Sequence, residues 1–139
     1  MVPLNYLAVL IAAVESMFLG YLWYGPVFGK AWMKEMGLTK GKMDGKSAEM
    51  NKLYMIQAVG SIFMAFVLAH ALVFASAYLN ESGISAGIQT GFWNWLGFIA
   101  PVTLGSVLWE GKSWKLWILN NGYYLTTLVI MAVTLSLFS

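Results

Sequence analysis

Four apolar runs, each of about twenty residues or more, occupy most of this chain, at about 4–23, 53–79, 88–109 and 115–138. A helix needs roughly 20 apolar residues to cross the hydrocarbon core of a bilayer. Inside lipid, every backbone amide and carbonyl must find its partner within the spanning structure. Four such runs therefore predict an all-α polytopic membrane protein, with all 139 residues in a single integral membrane domain. Composition points the same way. Hydrophobic residues make up 60% and charged residues 10%, with a mean hydropathy of +0.70, whereas a soluble domain carries about 25% charged residues. The polar surface is too small to cover a fold in water, so the lipid bilayer is the expected partner. The first run has no basic segment before it and no small-residue cleavage pattern, so it is expected to be kept as a span.

Orientation follows from the basic residues, all eight of which are lysine. Lys30, Lys34, Lys40, Lys42, Lys46 and Lys52 lie between the first and second runs, and Lys112 and Lys115 between the third and fourth. In a four-span chain these two connections share one side. The positive-inside rule makes that side cytoplasmic and puts both termini outside.

The stretch Trp23-Tyr-Gly-Pro-Val-Phe-Gly-Lys-Ala-Trp32 sits where the first span meets the lysine side. Aromatic rings with polar tips suit headgroup depth, so Trp23, Tyr24, Trp32 and, at the end of the third span, Trp109 are the expected interface anchors. Gly25-Pro26 should stop the first helix, because proline disfavours helical geometry in the residue before it. Phe28, Trp32 and Met36 then recur every fourth residue, with Lys30 and Lys34 on another face. This pattern predicts a short amphipathic helix at about 27–36, lying in the interface and ending at Gly37. Residues 39–51 read as a polar connector, with Ser47 as the N-cap of the second span.

Several classes of chemistry are excluded. Cysteine is absent and there is one histidine, so neither disulfides nor a metal site is expected. The only aspartate, Asp44, lies in the connector, so no Ser-His-Asp set exists at membrane depth. No phosphate-binding glycine loop follows a strand. The chain is not expected to be an enzyme or to carry a cofactor. With a net charge of +2 and no basic, aromatic-interleaved run outside the spans, nucleic acid is not an expected partner either.

The polar residues inside the spans are the candidates for function. Glu15 lies about eight residues from the inner end of its span, ~12 Å deep at 1.5 Å per residue. A carboxyl group there marks either a pathway or a hydrogen bond that holds helices together. Ala8, Ala12, Ser16 and Gly20 form a small-residue stripe beside it, which invites close helix approach and turns Glu15 towards the bundle. His70, at similar depth in the second span, is either a proton relay partner or a packed neutral ring between Phe66 and Phe74. Gly83, Gly87 and Gly91 predict close helix contact in the third span, within or between chains. Asn94 lies amid Phe92, Trp93, Trp95 and Phe98, and Pro101 should kink that span near its centre. Asn120 and Asn121 either bond across helices or line a polar vestibule with Glu110. An internal echo pairs Leu22-Trp-Tyr-Gly25 with Leu108-Trp-Glu-Gly111, and 52–57 with 115–120. Two related hairpins would give that pattern, and so would two unrelated hairpins choosing the same boundary residues.

The run from Trp23 to Trp32, together with Phe92-Trp-Asn-Trp-Leu-Gly-Phe98, Leu108-Trp-Glu110 and Trp117-Ile-Leu-Asn-Asn-Gly-Tyr123, resembles the prokaryotic family of small four-span membrane proteins called domain of unknown function 1761. The resemblance covers nearly the whole chain. It implies the four-helix architecture and a prokaryotic cytoplasmic (inner) membrane, and it implies no activity. The lone glutamate midway along a short first span is also similar to small multidrug-resistance transporters, from which the lysine asymmetry and the interfacial helix depart. The functional expectation is a homo-oligomeric bundle that binds or passes a small solute or a proton along a polar seam of Glu15, His70, Asn94, Asn120, Asn121 and Glu110. The alternative is a structural or lipid-binding accessory subunit of a larger membrane complex.

Overall fold

The computed structural model describes residues 3–38 and 47–138. All the regular structure there is helical. α1 (Tyr6–Leu22) runs into a π-helical turn (Trp23–Val27), followed by a short helix, α2 (Gly29–Met36). α3 (Ser47–Leu79) and α4 (Gly83–Asn94) come next. A second π-helical turn (Trp95–Ile99) leads into two single-turn helices, α5 (Ala100–Thr103) and α6 (Gly105–Leu108), and the chain closes with α7 (Trp114–Leu137). Four stretches are long and apolar enough to cross a membrane: Tyr6–Val27, Glu49–Leu79, Gly83–Leu108 and Trp114–Leu137.

α7 packs against both α1 and α4, and α4 lies tightest against it. The buried core is built from small side chains, among them Ala8, Ala12 and Ala13 of α1, Ala65 and Ala69 of α3, Ala86 of α4 and Ala132 of α7. Bulky residues such as Phe18, Trp93 and Phe98 are exposed instead. That inversion is what lipid as solvent produces. Lipid tails solvate a phenylalanine as well as a protein core does, so helices gain by close backbone approach through small residues. The expected stripe on α1 faces inwards: Ala8, Ala12 and Ser16 are buried, and Gly20 lies beneath the hydroxyl of Tyr123. The glycine spacing of α4 is settled within the chain. A Cβ on Gly87 would lie 2.7 Å from Val133 Cα, and one on Gly91 2.6 Å from Val129 Cα.

Polar side chains fix the helix ends. Asn5 caps α1 by accepting from the Ala8 amide at 3.2 Å, while its own amide donates to the Phe138 carbonyl at 3.2 Å, tying together the start of α1 and the end of α7. At the opposite end, Ser113 caps α7 by accepting from the Leu116 amide and donates to Glu35 of α2 at 2.7 Å. The short helix is thus bonded to the bundle as well as amphipathic. It stops at Gly37, whose φ of 68° is open to glycine at little cost and whose amide reaches back to Lys34.

Three local expectations differ. Pro26 does not end the first span abruptly. The helix widens through it, with the Phe28 amide bonding to the Trp23 carbonyl five residues back at 2.8 Å, which absorbs a proline that has no N–H to donate. Pro101 is approached in the same way: the second π-helical turn precedes it, and the helix breaks again at Leu104. Residues 47–51, read as connector, already belong to α3, whose first turn carries Glu49 where the helix dipole favours an acid. Residues 39–46 of that connector, with Lys40, Lys42 and Lys46, lie outside the described residues, as does the side chain of Ser47, so its capping role does too.

Candidate functional site

A cavity of about 250 Å³ opens between the broken end of the third span and the first turns of α7. Thr103, Ser106 and Glu110 line it from one side and Trp117, Asn120 and Tyr124 from the other. Spacings of four and three residues on α7 place Trp117, Asn121 and Tyr124 along neighbouring turns of one face. The break around Pro101 and Leu104 opens the wall opposite, because single-turn helices cannot pack along α7 as α4 does.

Asn121 anchors this wall and is buried. Its Oδ1 accepts from Trp95 Nε1 at 3.1 Å, and its Nδ2 donates to the Trp117 carbonyl at 3.1 Å and to Thr103 Oγ1 at 3.0 Å. Thr103 Oγ1 also accepts from Trp117 Nε1 at 3.1 Å and gives its single proton to the Ile99 carbonyl at 2.7 Å. Two lone pairs and one proton are thereby used in full. The arrangement also fixes which way the Asn121 amide points, since a flip would set its oxygen against the Trp117 carbonyl and its nitrogen against the Trp95 N–H. A buried polar network satisfied in this way is rigid. It holds the cavity wall in one geometry.

Asn120, the next residue, accepts at Oδ1 from the Tyr24 hydroxyl at 2.8 Å. The aromatic end of the first span is therefore turned towards α7. Tyr24 meets Trp32 and Tyr123 edge-on, with ring centroids 5.7 and 5.3 Å apart. Trp23 donates to the Leu119 carbonyl at 3.0 Å and lies over Gly122, where a Cβ would come within 2.9 Å of its ring. Trp23 and Tyr24, expected as anchors, have their polar tips taken by α7, and Trp32 is half-buried beside them; Trp109, in contrast, is 86% exposed. The internal echo thus pairs a packed Trp23 with an open Trp109, and an exposed Gln57 with the cavity-lining Asn120.

The six polar candidates divide. Glu110, Asn120 and Asn121 surround the cavity. Glu15 lies apart, its two carboxyl oxygens 3.0 and 2.8 Å from the hydroxyl of Thr134 on α7. His70 donates through Nδ1 to the Phe66 carbonyl of its own helix at 2.9 Å and packs edge-on against the Phe66 ring. Asn94 likewise bonds within its own helix, to the Thr90 carbonyl at 2.8 Å. One continuous seam is not formed, because helix rotation sends these three side chains to other faces. Among the described residues, no three His, Cys, Asp or Glu side chains gather as a metal would require.

Sequence reasoning missed Thr103, Trp117 and the indole N–H of Trp95, and it missed Thr134 as the partner of Glu15. Only the position of Thr103, two residues after the helix-breaking Pro101, carried a local signal. The others are defined by contacts between spans.

Four apolar spans around a small-residue core, with a polar cavity set into one end, define a polytopic α-helical membrane protein. The chain belongs to the family described as "Protein of unknown function (DUF1761)", whose profile matches residues 7–136. No curated protein and no solved structure matches it.

Proposed function

We propose that this protein binds a small polar solute within the membrane, in the cavity between Thr103, Ser106 and Glu110 on one wall and Trp117, Asn120 and Tyr124 on the other. The observation that carries this reading is the satisfied network around Asn121, which keeps a polar recess rigid where a bundle stabilised by apolar packing alone would close it. Its volume of about 250 Å³ is below the roughly 300–1,000 Å³ of sites for drug-sized ligands, so the solute is small. Binding and passage of the solute, rather than bond-breaking chemistry, is the proposed activity. The end that carries the described lysines is proposed to face the cytoplasm of a prokaryotic cell, with both termini outside.

Homo-oligomerisation belongs to the same reading. Between Asn51 and Gly60 the residues of α3 are exposed on nearly every side, Leu53, Met55, Ile56 and Val59 among them. A second copy of the chain covers that stretch in the proposed assembly. Recovery of a defined complex with a different protein, after mild extraction, would replace the homo-oligomer with the accessory-subunit reading.

The absence of cysteine permits a direct test. In sealed vesicles, a single Ser106→Cys should react with a membrane-impermeant thiol reagent supplied from the cytoplasmic side and resist it from the outside. Phe98→Cys, on a lipid-facing residue 71% exposed, should stay unlabelled from both sides, because a thiol in hydrocarbon does not ionise. Equal resistance at both positions would end the cavity reading, and labelling of Ser106→Cys from outside would reverse the orientation.

Glu15 is proposed to carry a proton linked to solute passage. Glutamine keeps an oxygen that can accept from Thr134, so Glu15→Gln should alter unfolding free energy by no more than about 0.5 kcal/mol. It should change proton release or uptake by the reconstituted protein. Loss of assembly with unchanged proton movement would make Glu15 a purely structural link between α1 and α7.

A further inference from the structure

Resting on the reading of the cavity as a solute site, we infer that its solute is a cation, an organic ammonium ion small enough to stand between Glu110 and the rings of Trp117 and Tyr124. Three features of the cavity point that way. Among the described residues, Glu110 is the only charged side chain lining it, and its carboxylate has no partner there. Lys112 and Lys115 lie close in sequence but do not line the cavity. The positive N-terminal end of α7, which could otherwise attract an anion here, is already occupied by the Ser113 hydroxyl and, through it, by the Glu35 carboxylate.

The rest of the lining fits the same ligand. Ser106 gives its proton to the Thr103 carbonyl at 2.8 Å, leaving its oxygen as an acceptor. Ring faces of tryptophan and tyrosine attract cations, most strongly where water is excluded. Asn120 has its oxygen committed to Tyr24, so it can offer only its Nδ2 as a donor. That donor suits a hydroxyl or carbonyl oxygen on the same solute. The ligand class is therefore an ammonium ion that also carries a hydrogen-bond acceptor.

Two thiol reagents of similar size and opposite charge test this without knowledge of the natural solute. They are methanethiosulfonate ethyltrimethylammonium and methanethiosulfonate ethylsulfonate, applied to Ser106→Cys and compared with their rates on 2-mercaptoethanol in solution. Gly105→Cys is the second position, since a Cβ there has room, with its nearest neighbour among the described residues, a Trp109 ring carbon, at 3.8 Å. The cationic reagent should be favoured about tenfold or more after normalisation, the low end of the effect of a charged cleft on local ion concentration. Glu110→Gln should bring the ratio close to one, and Glu110→Asp should keep most of it. A ratio near or below one in the unaltered cavity, or one that Glu110→Gln leaves unchanged, overturns the cation assignment while the cavity stands. Failure of both reagents at both positions overturns the cavity as well.

Discussion

Replacing Gly91 with alanine should destabilise the protein by about 1–3 kcal/mol or more, the usual cost of forcing atoms into a filled interface. The new methyl carbon would lie 2.6 Å from Val129 Cα, 2.8 Å from the Leu128 carbonyl oxygen and 2.8 Å from Val129 N. All three are backbone atoms, so no side-chain rotation can make room, and α4 must move away from α7. That movement loosens the pair of helices with the closest packing in the bundle. Gly87→Ala meets the same obstacle one turn earlier, at Val133 Cα and the Ala132 carbonyl. The control is Gly97→Ala, where nothing lies within 4 Å, and its effect should stay within about 0.5 kcal/mol. Unfolding in mild detergent, followed by helical circular dichroism, separates them. If Gly91→Ala unfolds with Gly97→Ala, the α4–α7 contact described above is wrong.

Asn121→Leu is expected to cost about 2–3 kcal/mol, for a different reason. The side chain it removes serves Trp95 Nε1, Thr103 Oγ1 and the Trp117 carbonyl at once. Leucine fills a similar volume and returns none of those bonds; a fully buried partner left alone costs about 1–3 kcal/mol, and these partners are half-buried. Relaxation of the indoles recovers part of that loss. A double-mutant cycle with Trp95→Phe isolates one bond of the set. Coupling across helices in membranes averages about 0.6 kcal/mol and reaches about 1.7, so a value in that range is expected, towards the upper end for a buried acceptor. Zero coupling would show that Trp95 and Asn121 are neighbours without being partners. The same variant should also change the labelling rate at Ser106→Cys, because the wall that frames the cavity loses its fixed geometry.

These two sites show what kind of information each level of description held. The glycine spacing at 87 and 91 was legible as a surface for close approach, because only a residue without a side chain lets two backbones meet; Gly83, expected with them, has nothing within 4 Å. The partner of that surface was not legible: the sequence left a second copy of the chain as open as α7. Asn121 was legible as a polar residue too costly to leave in lipid, and Glu110 and Asn120 were named with it. Its partners on the third span were not, since Trp95 and Thr103 lie 18 or more residues away and the angle between them around the helix axis depends on the π-helical turn at Trp95–Ile99. Trp23 and Tyr24, expected as interface anchors, open the first of the two π turns with their polar tips bonded to α7.

Glu15 and His70 make the same point from the other side. A similar depth was expected for them from their residue numbers, whereas Ala69, beside His70, lies against Asn5 and Ala8 at the start of α1. Whether they meet depends on rotation about two separate axes, and packing sent Glu15 to Thr134 and His70 back to the Phe66 carbonyl.

What the amino-acid order determined by itself is the number of spans, the residues that make up most of each, and the connections that carry the lysines. Lipid enforces those features on each segment separately, through hydropathy, length and charge. What only the assembled helices decided is everything that depends on azimuth: which small faces meet, which side chain takes each buried amide, and where the bundle leaves a polar recess. Those outcomes come from contacts between spans, and they are governed by sub-ångström fit between surfaces that no single segment contains.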